Sequence, residues 1–206
     1  MKESFPMLRN VSKYVIGIDE AGRGPLAGPV AVGGVKITVK RKTKSEKLWE
    51  IFSGIKDSKQ LTEKQREEWF SFLTSHPQLR CAVAFVWPRM IDRINIRNAT
   101  LIGAQKVYDK LSTDGACPAL LDGGLFLSDG IEQETIIKGD EKIPLIAAAS
   151  IIAKVRRDRL MRRLHRKYPQ YRFDLHKGYG TKLHRMLIAH HGASPVHRMS
   201  FKWREI

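Results

Sequence analysis

A run of five residues, Tyr14 to Ile18 (YVIGI), leads directly into two adjacent acids, Asp19 and Glu20, and then into a turn rich in glycine and proline, Ala21 to Pro29 (AGRGPLAGP). A short apolar run bounded by turn residues reads as a buried strand. Carboxylates at the end of such a strand are costly unless they are paired, hydrogen-bonded or metal-bound. The combination recurs. Asp122 ends Ala119-Leu120-Leu121 ahead of a glycine pair, and Asp140 follows a short strand candidate, Thr135 to Ile137, and Gly139. Taken singly, an acid at a glycine turn reads as an Asx turn or a helix cap. Asp19-Glu20 resists that reading, because consecutive strand residues point to opposite faces. Either the chain bends there, or one residue ligates through its backbone carbonyl as well as its side chain.

The rest of the chain alternates strand and helix signals. Val30 to Val39 reads as a strand with a flexible glycine pair at its centre, and Leu79 to Trp87 as a strand stopped by Pro88. Pro118 to Leu121 reads as the short strand ahead of Asp122, and Lys40 to Lys47 as a charged loop. Helices are expected from a Thr62/Gln65 capping box with an apolar face of Trp69, Phe70 and Leu73, over Asn98 to Leu111, over Leu145 to Lys167, and over Lys182 to His190. This alternation predicts an α/β layer protein. At roughly 150 residues per domain, 206 residues make one domain with room for an appendage, or two very small ones. A composition shift near residue 150 divides an α/β core, 1–150, from a basic helical segment, 151–206, packed on it as one structural unit.

Charge narrows the function. The chain carries a formal net charge of +16, and residues 151–206 hold 15 Lys/Arg against 3 Asp/Glu. A concentrated cationic segment is the footprint of a polyphosphate partner, though charge alone does not separate DNA, RNA and membrane phosphate. Cys81 and Cys117 form no CxxC pair, which excludes a zinc finger or a disulfide scaffold and fits a reduced cytoplasm. The most apolar stretch, Leu145 to Ala153, is about half the length of a membrane span, and no signal peptide is evident. Acids that repel one another are made tolerable by a divalent cation, and all-oxygen ligands suit Mg²⁺ or Mn²⁺. A cationic surface would attract a phosphate backbone, and the acidic centre would hold two ions on one scissile phosphate.

Several ordered motifs then resemble type 2 ribonuclease H, the ribonuclease HII family. Ile18 to Pro25 (IDEAGRGP) is similar to its opening signature, and Lys56 to Leu61 (KDSKQL) to its "DSK-L" segment. Ile94 to Leu101 resembles a helix-starting pattern, Leu121-Asp122-Gly123 the third-acid motif and Lys138-Gly139-Asp140 the fourth. Ala147 to Asp158 resembles a long-helix motif and His176 to Thr181 (HKGYGT) a late tyrosine loop, so the likeness spans about residues 14–192. The resemblance implies a ribonuclease H-like fold, a mixed central sheet flanked by helices with C-terminal helices added. It implies hydrolysis of the RNA strand of RNA–DNA hybrids and cutting at single ribonucleotides embedded in duplex DNA, leaving 5′-phosphate and 3′-hydroxyl ends. It assigns Asp19, Glu20, Asp122 and Asp140 to catalysis and metal binding, with Asp158 a rival for the fourth place. Asp140 is preferred because Asp158 stands between Arg157 and Arg159, where an ion pair explains it.

Substrate contacts follow in the same way. Gly22-Arg23-Gly24 is expected to sense the 2′-hydroxyl, since glycine lets the backbone approach a sugar closely. Tyr179 is expected to stack on the sugar after the ribonucleotide, and Lys59 and Lys177 to touch phosphates. With no obvious interaction tail, a monomer is the expectation, and contacts with replication or repair partners are not readable from the sequence. His165, His184 and His197 are read as basic-surface residues, His190-His191 as lacking a third metal ligand, Trp87 and Trp203 as packing residues, and the segment after Gly192 is given no role beyond a basic surface. Two rival readings stand beside this one: a non-catalytic basic nucleic-acid-binding protein, which leaves the strand-end acids unexplained, and the same fold acting as a DNA nuclease or a type 3 enzyme.

Overall fold

The computed structural model describes residues 14–38, 50–115 and 117–201. Five strands form one mixed sheet: β1 (Tyr14–Ala21), β2 (Val30–Thr38), β3 (Leu79–Val86), β4 (Ala119–Asp122) and β5 (Gln133–Ile136), in the order β3-β2-β1-β4-β5. The first three pair antiparallel, while β4 runs parallel to β1 and β5 parallel to β4. The helices are α1 (Glu63–Ser75), α2 (Pro88–Leu111), α3 (Gly139–Lys142), α4 (Pro144–Lys167), α5 (Phe173–His176) and α6 (Lys182–His191), with a 3₁₀ turn at Pro169–Tyr171. This is the expected α/β fold with a mixed sheet.

Alternation along the strands splits the core in two. Val15, Val35, Ile37 and Leu120 pack with Leu145, Ile146, Ala149 and Ile152 of α4 on one face of the sheet. Ile16, Ile18, Val32, Ala84 and Leu121 pack with Ala104, Val107 and Leu111 of α2 on the other. The glycine pair in β2 serves close packing instead of the expected flexibility. A Cβ on Gly33 would lie 2.5 Å from the Ala149 carbonyl oxygen of α4, and one on Gly34 would run into Val107 of α2.

Several boundaries differ from the sequence reading for local reasons. β3 stops at Val86, because Trp87 caps a helix with Pro88 at its first position. Trp87 is therefore 44% exposed, not a packing residue. The helix expected from Asn98 is the second piece of α2: Asn95 breaks the helix at φ 64°, ψ 167°, and its side-chain oxygen accepts from the Asn98 amide at 3.0 Å. The Thr62/Gln65 capping box is present as expected. Residue 150 lies inside α4, whose apolar first half is core and whose later half reaches the C-terminal elements. The charged loop 40–47 and Trp203 lie outside the described residues. Among the described residues no helix is long and apolar enough to cross a membrane.

The C-terminal elements overturn the surface assignment of His184 and His197. His184 and His197 are fully buried and His176 nearly so. The hydrogen bonds assign neutral tautomers throughout. His176 donates from Nε2 to the Tyr171 carbonyl at 2.8 Å and accepts the Gly178 amide on Nδ1. His184 donates from Nδ1 to the Tyr179 carbonyl at 2.9 Å, leaving Nε2 to accept from His197 Nε2 at 3.1 Å. His197 Nδ1 accepts from both the amide and the hydroxyl of Ser194. An added proton would set donor against donor. Burial first, and the neighbouring histidines next, push His184 down to about 3; burial takes His197 to about 4. The unfolded chain takes these protons near the ordinary value of 6.5. Stability from neutral burial is thus present above about pH 6.5 and is lost as pH falls below it. From pH 7.5 to pH 5.0 the loss should be about 2 kcal/mol per histidine, readable by urea unfolding. A loss under about 1 kcal/mol in total would show that the pair is protonated in the folded protein.

Candidate active site

Pleat parity and strand register bring the acids together. β1 and β4 pair with Ile18 opposite Leu121, and both of these residues face α2. One residue further along each parallel strand stand Asp19 and Asp122, which therefore share the opposite face, towards α4. β5, parallel to β4, leads to Lys138, which adopts a left-handed conformation and turns the chain into α3. Asp122 secures that turn: its Oδ1 accepts the Gly139 amide at 2.7 Å and the Asp140 amide at 3.4 Å. One carboxylate oxygen from each of Asp19, Asp122 and Asp140 then lies within 4.8 Å of the others. Glu20 points to the other face of β1 and is not in this triad. Its carboxylate meets the Arg23 guanidinium at 3.2 Å.

The triad is electrostatically unfavourable by itself. At an effective dielectric constant near 20, two carboxylates at such a separation repel by roughly 3 kcal/mol. Burial, then the charges of Glu20 and Asp122, raise Asp19 well above the ordinary carboxylate range, against hydrogen bonds from the Glu20 amide and the Ser150 hydroxyl. Burial also raises Glu20, opposed by Arg23. Part of the charge is met by Lys59, whose ammonium lies 2.9 Å from Asp140 and 3.9 Å from Asp57. Burial works against that ammonium, but Asp140 and Asp57 outweigh it and raise its pKa. An all-carboxylate donor set with two buried members and one half-buried fits a hard divalent ion such as Mg²⁺ or Mn²⁺, and Asp19, Asp122 and Asp140 are the residues able to hold it.

The remaining expected residues are placed as follows. Gly22 has φ +88°, and a Cβ there would strike the Arg157 guanidinium, so glycine is required twice over. Arg23 is largely exposed, and the space beside Gly24 is open. Tyr179 is 42% exposed, its ring 6.0 Å from the Lys154 ammonium and 5.8 Å from the Arg157 guanidinium. Lys177 turns its ammonium back onto the Asp174 carbonyl. Asp158 stays outside the triad, paired with Lys154 at 2.9 Å.

Sequence reasoning missed five contributors. Asp57 is buried beside Asp140, and burial first and Asp140 among the later causes raise its pKa. Ser58 and Ser150 share a hydrogen bond at 2.7 Å behind Asp19. Arg157, read only as part of the basic long-helix motif, and Arg198, read as basic surface, are fully buried. The KDSK segment was a signal for Asp57 and Ser58; nothing local to Arg198 distinguishes it from surface arginines.

A mixed sheet that gathers three carboxylates, two at the ends of adjacent parallel strands and one in the short helix that follows the next strand, defines a nuclease of the ribonuclease H-like fold. Comparison with known proteins narrows the class. A family profile for ribonuclease HII matches residues 16–204. Ribonuclease HII of Caldicellulosiruptor bescii is 41% identical over 195 residues, 95% of this chain and 89% of that protein. Ribonuclease HII of Chlamydia trachomatis serovar L2 is 46% identical over 188 residues, 91% of this chain and 81% of that one. The crystal structure of ribonuclease H2 from Pyrococcus horikoshii superposes with a TM-score of 0.68 at 30% identity, covering 92% and 94% of the two chains. The chain belongs to the ribonuclease HII family and is a ribonuclease H, an endoribonuclease acting on RNA–DNA hybrids.

If the triad is a metal site, its repulsion and its ion should read out in stability. In chelator, Asp19→Asn should raise Tm, because one repelling charge is gone. With Mn²⁺ at about 100 times its Kd, the wild-type protein should gain about 2.7 kcal/mol, or about 5–10 °C in Tm, and the variant should lose that gain. An equal metal response in both proteins, followed by thermal unfolding, would place the ion elsewhere.

Proposed function

We propose that this enzyme cuts on the RNA side of ribonucleotide-bearing duplexes by two-ion catalysis, at single embedded ribonucleotides as well as within hybrids. The observation that supports this most is the convergence of Asp19, Asp122 and Asp140, from three different elements, with oxygens within 4.8 Å. Two Mg²⁺ or Mn²⁺ ions, held by these residues with Glu20, would supply Lewis acidity at the scissile phosphate and lower the pKa of the attacking water. Water oxygen bonds to phosphorus, the P–O3′ bond breaks, and the products are a 5′-phosphate and a 3′-hydroxyl.

The chain's own residues position and select. Asp122 braces the turn that carries Asp140 through two backbone amides. Lys59 neutralises Asp140 and stands near enough to meet a phosphate, and Lys177, at the edge of the tyrosine loop, is a second cation for the backbone. The backbone of Gly22-Arg23-Gly24 reads the 2′-hydroxyl, the group that marks RNA. The Arg23 guanidinium is exposed enough to exchange Glu20 for a phosphate. Tyr179, projecting from its loop, stacks on the adjoining sugar. We read residues 1–150 as the catalytic core and 151–206 as a basic segment continuous with it, in a cytoplasmic monomer.

Asp122→Asn is expected to lower cleavage of a labelled hybrid by at least about 10³-fold while leaving hybrid binding unchanged or tighter, since a negative charge beside the phosphate is removed. Turnover within a few-fold of wild type would exclude the triad from catalysis. Arg23→Ala and Tyr179→Ala should act mainly at a single embedded ribonucleotide. A panel of all-RNA hybrid, single-ribonucleotide duplex, all-DNA duplex and RNA duplex in each metal separates these effects. Equal losses on all cleaved substrates would remove the sensing role.

A further inference from the structure

The segment after α6 carries a buried arginine that reaches back across the chain. Arg198 is fully buried, and its guanidinium donates from Nη2 to the Gly22 carbonyl at 2.6 Å, from Nη1 to the Arg23 carbonyl at 2.7 Å and from Nε to the Gly28 carbonyl at 2.9 Å. Its own amide donates to the Leu26 carbonyl at 2.8 Å. Arg157 of α4 makes the companion set, to the carbonyls of Pro29 at 3.0 Å, Ala27 at 3.2 Å and Lys177 at 3.0 Å. Two guanidiniums thus lace the glycine-arginine-glycine turn, the strand entry behind it and the tyrosine loop into one body. Burying a cation is unfavourable unless its donors are used, and a planar fork of five N–H groups suits several fixed carbonyls as an ammonium does not.

The consequence lies on the other side of the same peptide groups. A trans peptide is planar, so its N–H points opposite to its C=O. With the carbonyls of Gly22 and Arg23 turned inward to Arg198, the amides of Arg23 and Gly24 are turned outward. Among the described residues neither amide donates a hydrogen bond, and nothing lies within 4 Å of a Cβ built on Gly24. Two adjacent donors are therefore without a partner among the described residues, in a turn that follows directly on Asp19 and Glu20, and the space beside Gly24 is open.

We propose that Arg198 is a positioning residue for ribose recognition: it fixes the two outward amides of the Gly22-Arg23-Gly24 turn at the orientation that meets a 2′-oxygen. This rests on the reading of that turn as the ribose sensor. Affinity for duplex comes mainly from phosphate contacts, so loosening the turn should cost turnover and selectivity more than binding. A misplacement of about 1 Å can cost about 10²-fold in rate.

The test compares wild type, Arg198→Lys and Arg198→Ala on a duplex with one embedded ribonucleotide, each well below its own Tm. Leu164→Ala, in the apolar cluster beneath the same segment, is the control for destabilisation alone. Arg198→Ala should lose about 100-fold in kcat and Arg198→Lys about 10-fold. Duplex Kd should stay within about twofold of wild type. Added guanidinium ion should restore part of the Ala variant's kcat, and Leu164→Ala should keep wild-type kcat. If Arg198→Ala does not fold, Arg198→Lys carries the test, with faster hydrogen exchange at the amides of Arg23 and Gly24 as its second readout. Wild-type kcat in a folded Arg198 variant, or an equal loss in Leu164→Ala, overturns the proposal. If wild type cuts the hybrid but not the embedded ribonucleotide, the ribose-sensor reading fails, and this proposal falls with it.

Discussion

The functional geometry depends on one register. Because β4 runs parallel to β1 with Leu121 beside Ile18, the next residue on each strand is an aspartate, and pleat parity sends both carboxylates to the α4 face. A shift of one residue in either strand would turn one aspartate to the α2 side and leave the pair apart. That register is held by the apolar residues just before the acids, which are buried between the two helical layers. Hydrophobic burial thus imposes a contact that electrostatics opposes. The opposition is relieved only in part by Lys59 and by the amides at the start of α3, which is the condition under which a divalent cation binds well.

Positive charge does two kinds of work in this molecule. Some cations lie on the outside, where a phosphate backbone can reach them. Others are structural: Arg159 and Arg162 pair with Glu67 and Glu63 of α1, and Arg157 and Arg198 spend their donors on main-chain carbonyls. The net charge of the last 56 residues therefore overstates the cationic surface. A guanidinium inside a protein keeps its charge when its donors are satisfied. Burial first and Arg157 second take Arg198 down only to about 9, so it remains a cation at neutral pH.

Much of this was legible in the sequence, and the limits have physical causes. The strands, the two long helices and the capping box follow from local pattern, since each depends on neighbours within a few residues. Asp19, Asp122 and Asp140 were legible as acids ending apolar runs, although their convergence depends on strand pairing that no local pattern reports. The early start of α2 was missed because Pro88 signals both the end of a strand and the first turn of a helix, and a break at Asn95 hides the continuity. His184 and His197 were misplaced because a polar residue in a basic stretch carries no sign of burial. They become buried through each other and through Tyr179 and Ser194, contacts that exist only after folding. Arg198 reaches a carbonyl 175 residues earlier, at Arg23, far outside any window of sequence pattern.

On the proposed reading, chemistry and selection are carried by different parts of the chain. A cluster of carboxylates that binds divalent ions will act on any phosphodiester brought to it, because the reacting phosphate is the same in DNA and RNA. Preference for a ribonucleotide has to come from donors that meet the 2′-oxygen, and such donors discriminate only if they cannot follow a deoxyribose into an alternative fit. Backbone amides of a glycine turn approach closely but are intrinsically mobile. Stiffness has to be imported, and here it comes from side chains of α4 and the C-terminal segment that are themselves locked by burial. The tyrosine loop is stiffened in the same way, with Lys177 held by Arg157 and the Tyr179 carbonyl by His184. On the proposed reading the C-terminal residues complete a site whose metal-binding acids all lie before residue 141, and a chain in which only the earlier elements had formed would possess the acids without the means to choose where they act.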